Sequence, residues 1–232
     1  MTEDRRNIAW LSFGLAFVGG YSDAASFILA ETFTGHVTGN FVLTAISIAF
    51  QDLIFFRLIL AISLFLTGIM LSAILERLLA RKPAGSFLLT VLALEIVLIC
   101  LAYFALTSLL AVRLGLFVIC MALALGLQNG AWRGTGGITV HSTYLTGMIT
   151  SLLTSGTQRY ISKATRAAEP DPKISLLSGI WVAFIAGAAL GATLVLHYHA
   201  LGILGPALVL LDLLILEFVT IRRRPDRDPS LQ

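Results

Sequence analysis

Apolar residues along this chain come in runs of about twenty, separated by short clusters of charge, and each such run is long enough for a helix to cross a bilayer. Six runs reach full length, at roughly 8 to 30, 54 to 76, 87 to 108, 112 to 131, 174 to 197 and 203 to 221. Two more, at about 39 to 51 and 144 to 156, are too short for an ordinary crossing and predict re-entrant half-helices, which are tolerated where protein or water covers their ends. The first run follows Arg5 and Arg6 but is longer than the apolar part of a signal peptide, so a retained first span is expected.

The polar interruptions repeat. GYSDAASFILAETFTGHVTGN at 20 to 40 returns in altered form as GLQNGAWRGTGGITVHSTYLTGM at 126 to 148. Each copy is followed by a second shared pattern, Phe65-x-x-Gly68-x-x-x-Ser72-Ala73 and Phe184-x-x-Gly187-x-x-x-Gly191-Ala192. Hydrophobic segments broken at corresponding places in two halves point to a transporter-like site between repeats.

Composition fixes the compartment: 57% of the 232 residues are hydrophobic and only 12% are charged. Mean hydropathy is +0.90. This is the profile of an all-α integral membrane protein with the lipid bilayer as its main partner. The net charge of +3 comes from residues between spans rather than from a basic helix face, so no nucleic-acid partner is expected. Their distribution decides the topology. With six crossings and a cytoplasmic N-terminus, 14 of the 16 Lys and Arg fall inside and only Arg57 and Arg113 outside. If the short runs also crossed, Arg77, Arg81 and Lys82 would oppose Arg5 and Arg6 and most of the bias would vanish. Three crossings per half force the halves to insert with opposite orientation. The expected fold is a 3+3 inverted-topology repeat, 1 to 110 and 111 to 232, with both termini cytoplasmic in a bacterial inner membrane. The polar stretch 157 to 173 is expected to lie on the anionic inner surface.

Candidate chemistry follows from the broken segments. Thr38, Gly39 and Asn40, with Thr146 and Gly147 in the second copy, sit where each half-helix should begin, Thr as an N-cap and Gly allowing close approach. Unpaired N–H groups at such a point favour an anion or the acceptor atoms of a polar solute. Close helix packing is the alternative use of the same residues. Asp23, inside the first span, has Asn129 as its counterpart, and a carboxylate there must face the bundle interior, a partner or water. It is expected either to couple a proton or cation or to hold the re-entrant loop by hydrogen bonds. His36, His141, Glu95 and Asp212 complete the candidate proton relay, the two acids being expected near mid-depth and off the lipid. Gly68, Ser72, Gly187 and Gly191 put small residues on one helix face, for packing at the pseudo-two-fold axis or in a homo-oligomer contact. Cys100 and Cys120 fall within apolar runs and suit packing. No metal site and no cofactor is expected, and no nucleophile-base pair, zinc-type His-Glu spacing or phosphate loop suggests an enzyme.

The chain resembles the YoaK family of bacterial multi-pass inner-membrane proteins, grouped as a domain of unknown function. The resemblance rests on Gly20 to Ala24 with Thr38-Gly39-Asn40, on Gly126 to Ala131 with Thr143-Tyr144-Leu145-Thr146-Gly147, and on Phe184 to Ala192. It implies a six-span inner-membrane protein and supplies no substrate. Two functional expectations stand: a small secondary transporter or channel for a small polar or anionic solute, coupled to protons through Asp23 or Glu95, and a non-transporting scaffold or accessory subunit.

Overall fold

The computed structural model describes residues 3–83, 85–132, 145–162 and 172–223. Their regular secondary structure is all helical, which is what a lipid surround demands, since a helix satisfies its backbone polar groups within one segment. In chain order the helices are α1 (Glu3–Ala30), α2 (Val37–Phe50), α3 (Ile54–Leu79), α4 (Ser86–Thr107), α5 (Arg113–Ala131), α6 (Leu145–Ser162), α7 (Pro172–Tyr198) and α8 (Gly205–Arg223). A 3₁₀ turn, His199–Leu204, joins the last two. The six long apolar runs lie in α1, α3, α4, α5, α7 and α8, and the two short ones in α2 and α6. Helix α6 continues to Ser162, so it takes in the first residues of the polar stretch. The expected division at 110 and 111 falls in the connection between α4 and α5.

Five segments are long and apolar enough to cross a membrane. The fifth, Ile174–Arg222, is 49 residues long and comprises α7 and α8, folded back on each other's axis direction at the 3₁₀ turn. The outer faces carry a belt of exposed large apolar residues, among them Phe56 and Met70 on α3, Phe104 on α4, Leu196 on α7 and Leu208 on α8. That belt is far more than a water-soluble monomer exposes. Helix α2 inverts the soluble pattern outright: its buried residues are Asn40, Thr44 and Ser47, and its apolar side chains Phe41, Val42, Ile46 and Ile48 face outward.

Contacts fix the helix directions. Helices α1 and α7 run parallel, because Gly179 lies against Phe13, Gly187 against the Phe17 carbonyl and Gly191 against the Tyr21 carbonyl. Helices α3 and α5 run parallel in the same manner, with Phe65 against Gly126 and Ser72 against Gly130. Helix α8 runs against α1, pairing Leu213 with Gly14 and Gly205 with Tyr21, and against α4, whose leading Gly85 meets Ile221. A short connection and a shared interface make α4 and α5 an antiparallel hairpin. Thus α1, α4 and α7 point one way and α3, α5 and α8 the other.

The two parallel pairs bring helix backbone close against helix backbone. A Cβ on Gly20 would stand 2.1 Å from the Phe184 carbonyl oxygen, and one on Gly187 2.1 Å from that of Phe17. In the other pair a Cβ on Gly126 would stand 2.3 Å from the Phe65 oxygen, and one on Gly68 2.7 Å from that of Leu123. The sequence patterns therefore meet crosswise. The Gly20 segment of the first half faces the Phe184 pattern of the second, and the Gly126 segment of the second faces the Phe65 pattern of the first. Around them lies a core of Leu15, Val18, Tyr21, Leu92, Ile99, Phe117, Met121 and Leu125, with the Tyr21 hydroxyl donating to the Gly202 carbonyl.

Candidate functional site

Asp23 is 4% exposed. Its Oδ1 accepts the backbone N–H groups of Thr34 at 3.0 Å and Gly35 at 2.6 Å. Helix α1 continues seven residues past Asp23, about 10 Å, so the chain must turn back to bring Thr34 to that level. It does so at Glu31, which takes a left-handed backbone conformation (φ 54°). The returning loop is pinned from both sides. Ser26 Oγ lies 3.1 Å from Thr34 Oγ1, and the Asn40 carboxamide accepts the Phe33 N–H at 3.0 Å and donates to the Phe33 carbonyl at 2.6 Å. The Phe33 ring stacks on Phe27 with centroids 4.7 Å apart. A Cβ on Gly39 would press at 3.0 Å on His36 and 3.1 Å on Phe33, so Gly39 lets the loop fold onto the start of α2.

The expected capping by Thr38 is not what the structure uses. Helix α2 begins at Val37 with His36 at the cap position and no side-chain capping bond, and Thr38 is exposed in the first turn. The donors just ahead of the helix are met by Asp23 from α1, which holds the loop by hydrogen bonds, one of the two roles expected of it. Among the second-copy candidates, Thr146 and Gly147 lie in the first turn of α6, where Gly147 is half-buried, while His141 lies outside the described residues.

The interior face of α1 is polar. At 100° per residue, Ser12, Ser22, Asp23 and Ser26 fall within an arc of about 100°, and all four are buried. Helix α5 crosses the same face. Gln128 Nε2 donates to the Leu15 carbonyl at 3.1 Å, a buried bond between the two helices. The repeat pairs Ser22, Asp23 and Ser26 of α1 with Gln128, Asn129 and Trp132 at the end of α5. Asn129 is half-buried. Four atoms of this seam, Ser12 Oγ, Ser22 Oγ, Asp23 Oδ2 and Trp132 Nε1, are buried without a hydrogen-bond partner among the described residues. Buried polar atoms are nearly always paired, so each unpaired one calls for a partner such as an ordered water or a bound ion. Ser12, Ser22, Ser26 and Trp132 were not among the sequence candidates, although serines at helical spacing in an apolar run were the available signal.

Glu95 stands apart on α4, fully buried, with neither carboxylate oxygen hydrogen-bonded. Asp212 corrects the expectation that both acids avoid the lipid: it is exposed on the outer side of α8. The packed face of α8 is set by Leu210 and Leu213, which turn inward and rotate Asp212 out. Equal depth in two matched helices did not bring equal burial. No group of three potential metal ligands occurs among the described residues. Cys100 and Cys120 are free and half-buried.

A family model described as a protein of unknown function (DUF1275) matches residues 11–216. No curated protein and no solved structure matches the chain.

Proposed function

Starting from a chain that belongs to the DUF1275 family of unknown function, we propose a small secondary transporter or channel for a small polar solute, built from six crossings and two re-entrant half-helices. Within that family the motif residues favour a YoaK-like member. The observation that carries the functional reading is the buried polar seam at the crossing of α1 and α5, with its unpaired atoms midway through an apolar bundle.

Three features support the topology. The directions of α1, α3, α4, α5, α7 and α8 alternate along the chain, as six crossings require. Since α1 and α3 run oppositely, the chain leaves one and enters the other on the same side, so α2 returns to the side it started from; α5, α6 and α7 repeat the relation. Helix pairing is also unchanged when the halves are exchanged: α1 with α7 becomes α5 with α3, α2 with α3 becomes α6 with α7, and α4 with α5 becomes α8 with α1. This is the pattern of an inverted repeat with the seam on its pseudo-two-fold axis. The charge bias of 14 to 2 favours cytoplasmic termini in a bacterial inner membrane. Single-cysteine labelling of intact cells at 52 and 110 against 83 tests the orientation: the first two should react with an impermeant maleimide and the third should not.

Purified protein in liposomes should take up small polar solutes, and uptake should fall when Gln128→Leu removes the contact with α1. No uptake across a broad solute panel rejects transport. A second reading, a non-transporting scaffold, draws on the fact that Asp23 and Asn40 both make hydrogen bonds that fix the loop. It predicts a stable partner in detergent pull-downs and a protein whose seam cysteines resist aqueous reagents.

A further inference from the structure

The usual expectation for a broken membrane helix is that its N-terminus receives an anion. In the first half that position is already filled. The Thr34 and Gly35 N–H groups, which would otherwise form the anion cradle, are both donated to Asp23 Oδ1, and the Phe33 N–H is held by Asn40. The protein carries its own anion there. What it leaves over is Asp23 Oδ2, buried and without a donor. Ser22, next to Asp23 on α1, adds a buried, unpartnered hydroxyl. The spare capacity is therefore that of acceptors: a carboxylate oxygen can only accept, and hydroxyls can turn to do so.

From this we infer that the interior face of α1 binds a small ammonium-type cation at Asp23 Oδ2, with the Ser22 hydroxyl beside it. An ammonium group brings three or four N–H donors on a compact charge, matching one carboxylate oxygen and a neighbouring hydroxyl. A hard divalent ion needs about six oxygens and would find too few. The inference deepens the transport reading and rests on it for what the site does, while the solute class and the binding site stand on the acceptor geometry alone.

Asn at position 23 is the discriminating change. Its Oδ1 still accepts from Thr34 and Gly35, so the loop clamp survives, while a donor replaces the spare acceptor and the charge is lost; Asn129 holds that residue at the matched place in the second half. The probe is methylammonium, compared with acetate and phosphate, on the full-length protein. In detergent, methylammonium should raise the thermal unfolding midpoint of the wild type in a saturable way, and Asp23→Asn should weaken its apparent affinity at least tenfold. Ser22→Ala, which leaves the clamp intact, should weaken it several-fold and serves if Asp23→Asn misfolds. In liposomes, an inside-negative potential should drive methylammonium uptake that Asp23→Asn lowers at least tenfold. Saturable methylammonium binding without flux keeps the site and removes the transport reading. Flux or stabilisation by the anions with none by methylammonium removes the site and leaves transport standing. No methylammonium binding, or equal binding by Asp23→Asn, overturns the inference.

Discussion

Replacing Gly20 by Ala tests the crosswise packing directly. The new Cβ would lie 2.1 Å from the Phe184 carbonyl oxygen, where a carbon and an oxygen ordinarily come no closer than about 3.3 Å. The obstacle is backbone, which has no rotamer to move to, so α1 and α7 must separate by about 1 Å. A gap of that size forfeits about a quarter to a half of each dispersion contact along the interface. Overpacking of this kind costs about 1–3 kcal/mol, against about 0.5–1 kcal/mol returned because Ala is the better helix former. A net loss of about 1–2 kcal/mol is expected, and Gly126→Ala should match it in the other half. Gly187→Ala, whose Cβ would meet Phe17 at 2.1 Å, should combine with Gly20→Ala less than additively, since one separation relieves both clashes. The control is Gly115→Ala, which has open space within 4 Å and should be neutral or stabilising. Unfolding free energies from SDS titration in mixed micelles give the comparison. If Gly20→Ala falls within about 0.5 kcal/mol of Gly115→Ala, the close contact between α1 and α7 is not what holds the halves together.

Three further outcomes are expected. Asp23→Ala should destabilise the protein by about 1–3 kcal/mol by orphaning two buried N–H groups, and Asp23→Asn by much less, read by the same titration; equal losses would deny the clamp. Asn40→Ala should free the 31–36 loop, raising the labelling rate of a cysteine at 33 with aqueous maleimide, and an unchanged rate would mean that the two bonds to Phe33 are dispensable. Glu95→Met, which removes a buried carboxyl lacking any hydrogen-bond partner, should leave stability unchanged or raise it by about 1 kcal/mol; a loss of more than about 2 kcal/mol would reveal a contact that Glu95 depends on.

Helix positions were legible in the sequence because lipid leaves few alternatives: run length sets the helix, and charge clusters end it. The repeat was legible because small and polar residues are conspicuous in an apolar chain. What could not be read was which distant helices would touch. That Gly20 faces Phe184 depends on the assembled bundle, whereas the hold of Asp23 on the 31–36 loop was one of the two roles open to a carboxylate in that span. Position along a helix was readable for Glu95 and Asp212 alike, but burial depends on rotation, which neighbouring leucines decided. Ser12, Ser22 and Ser26 share a face by helical spacing alone, but that Gln128 of α5 reaches this face at Leu15 depends on the assembled bundle.

The crosswise pairing also sets an order on biosynthesis. Helix α3 can dock with α5 as soon as α5 is inserted, but α1 must wait for α7, whose Phe184 is synthesised about 160 residues after Gly20. At about 5–20 residues per second, that is roughly 8 to 30 s during which the first helix to enter the bilayer has a glycine face with nothing against it. A membrane chaperone or the insertion machinery itself would have its longest contact with this protein there, on α1. The final pairing of α1 with α7 then closes the bundle from its two ends, the first helix made and one of the last.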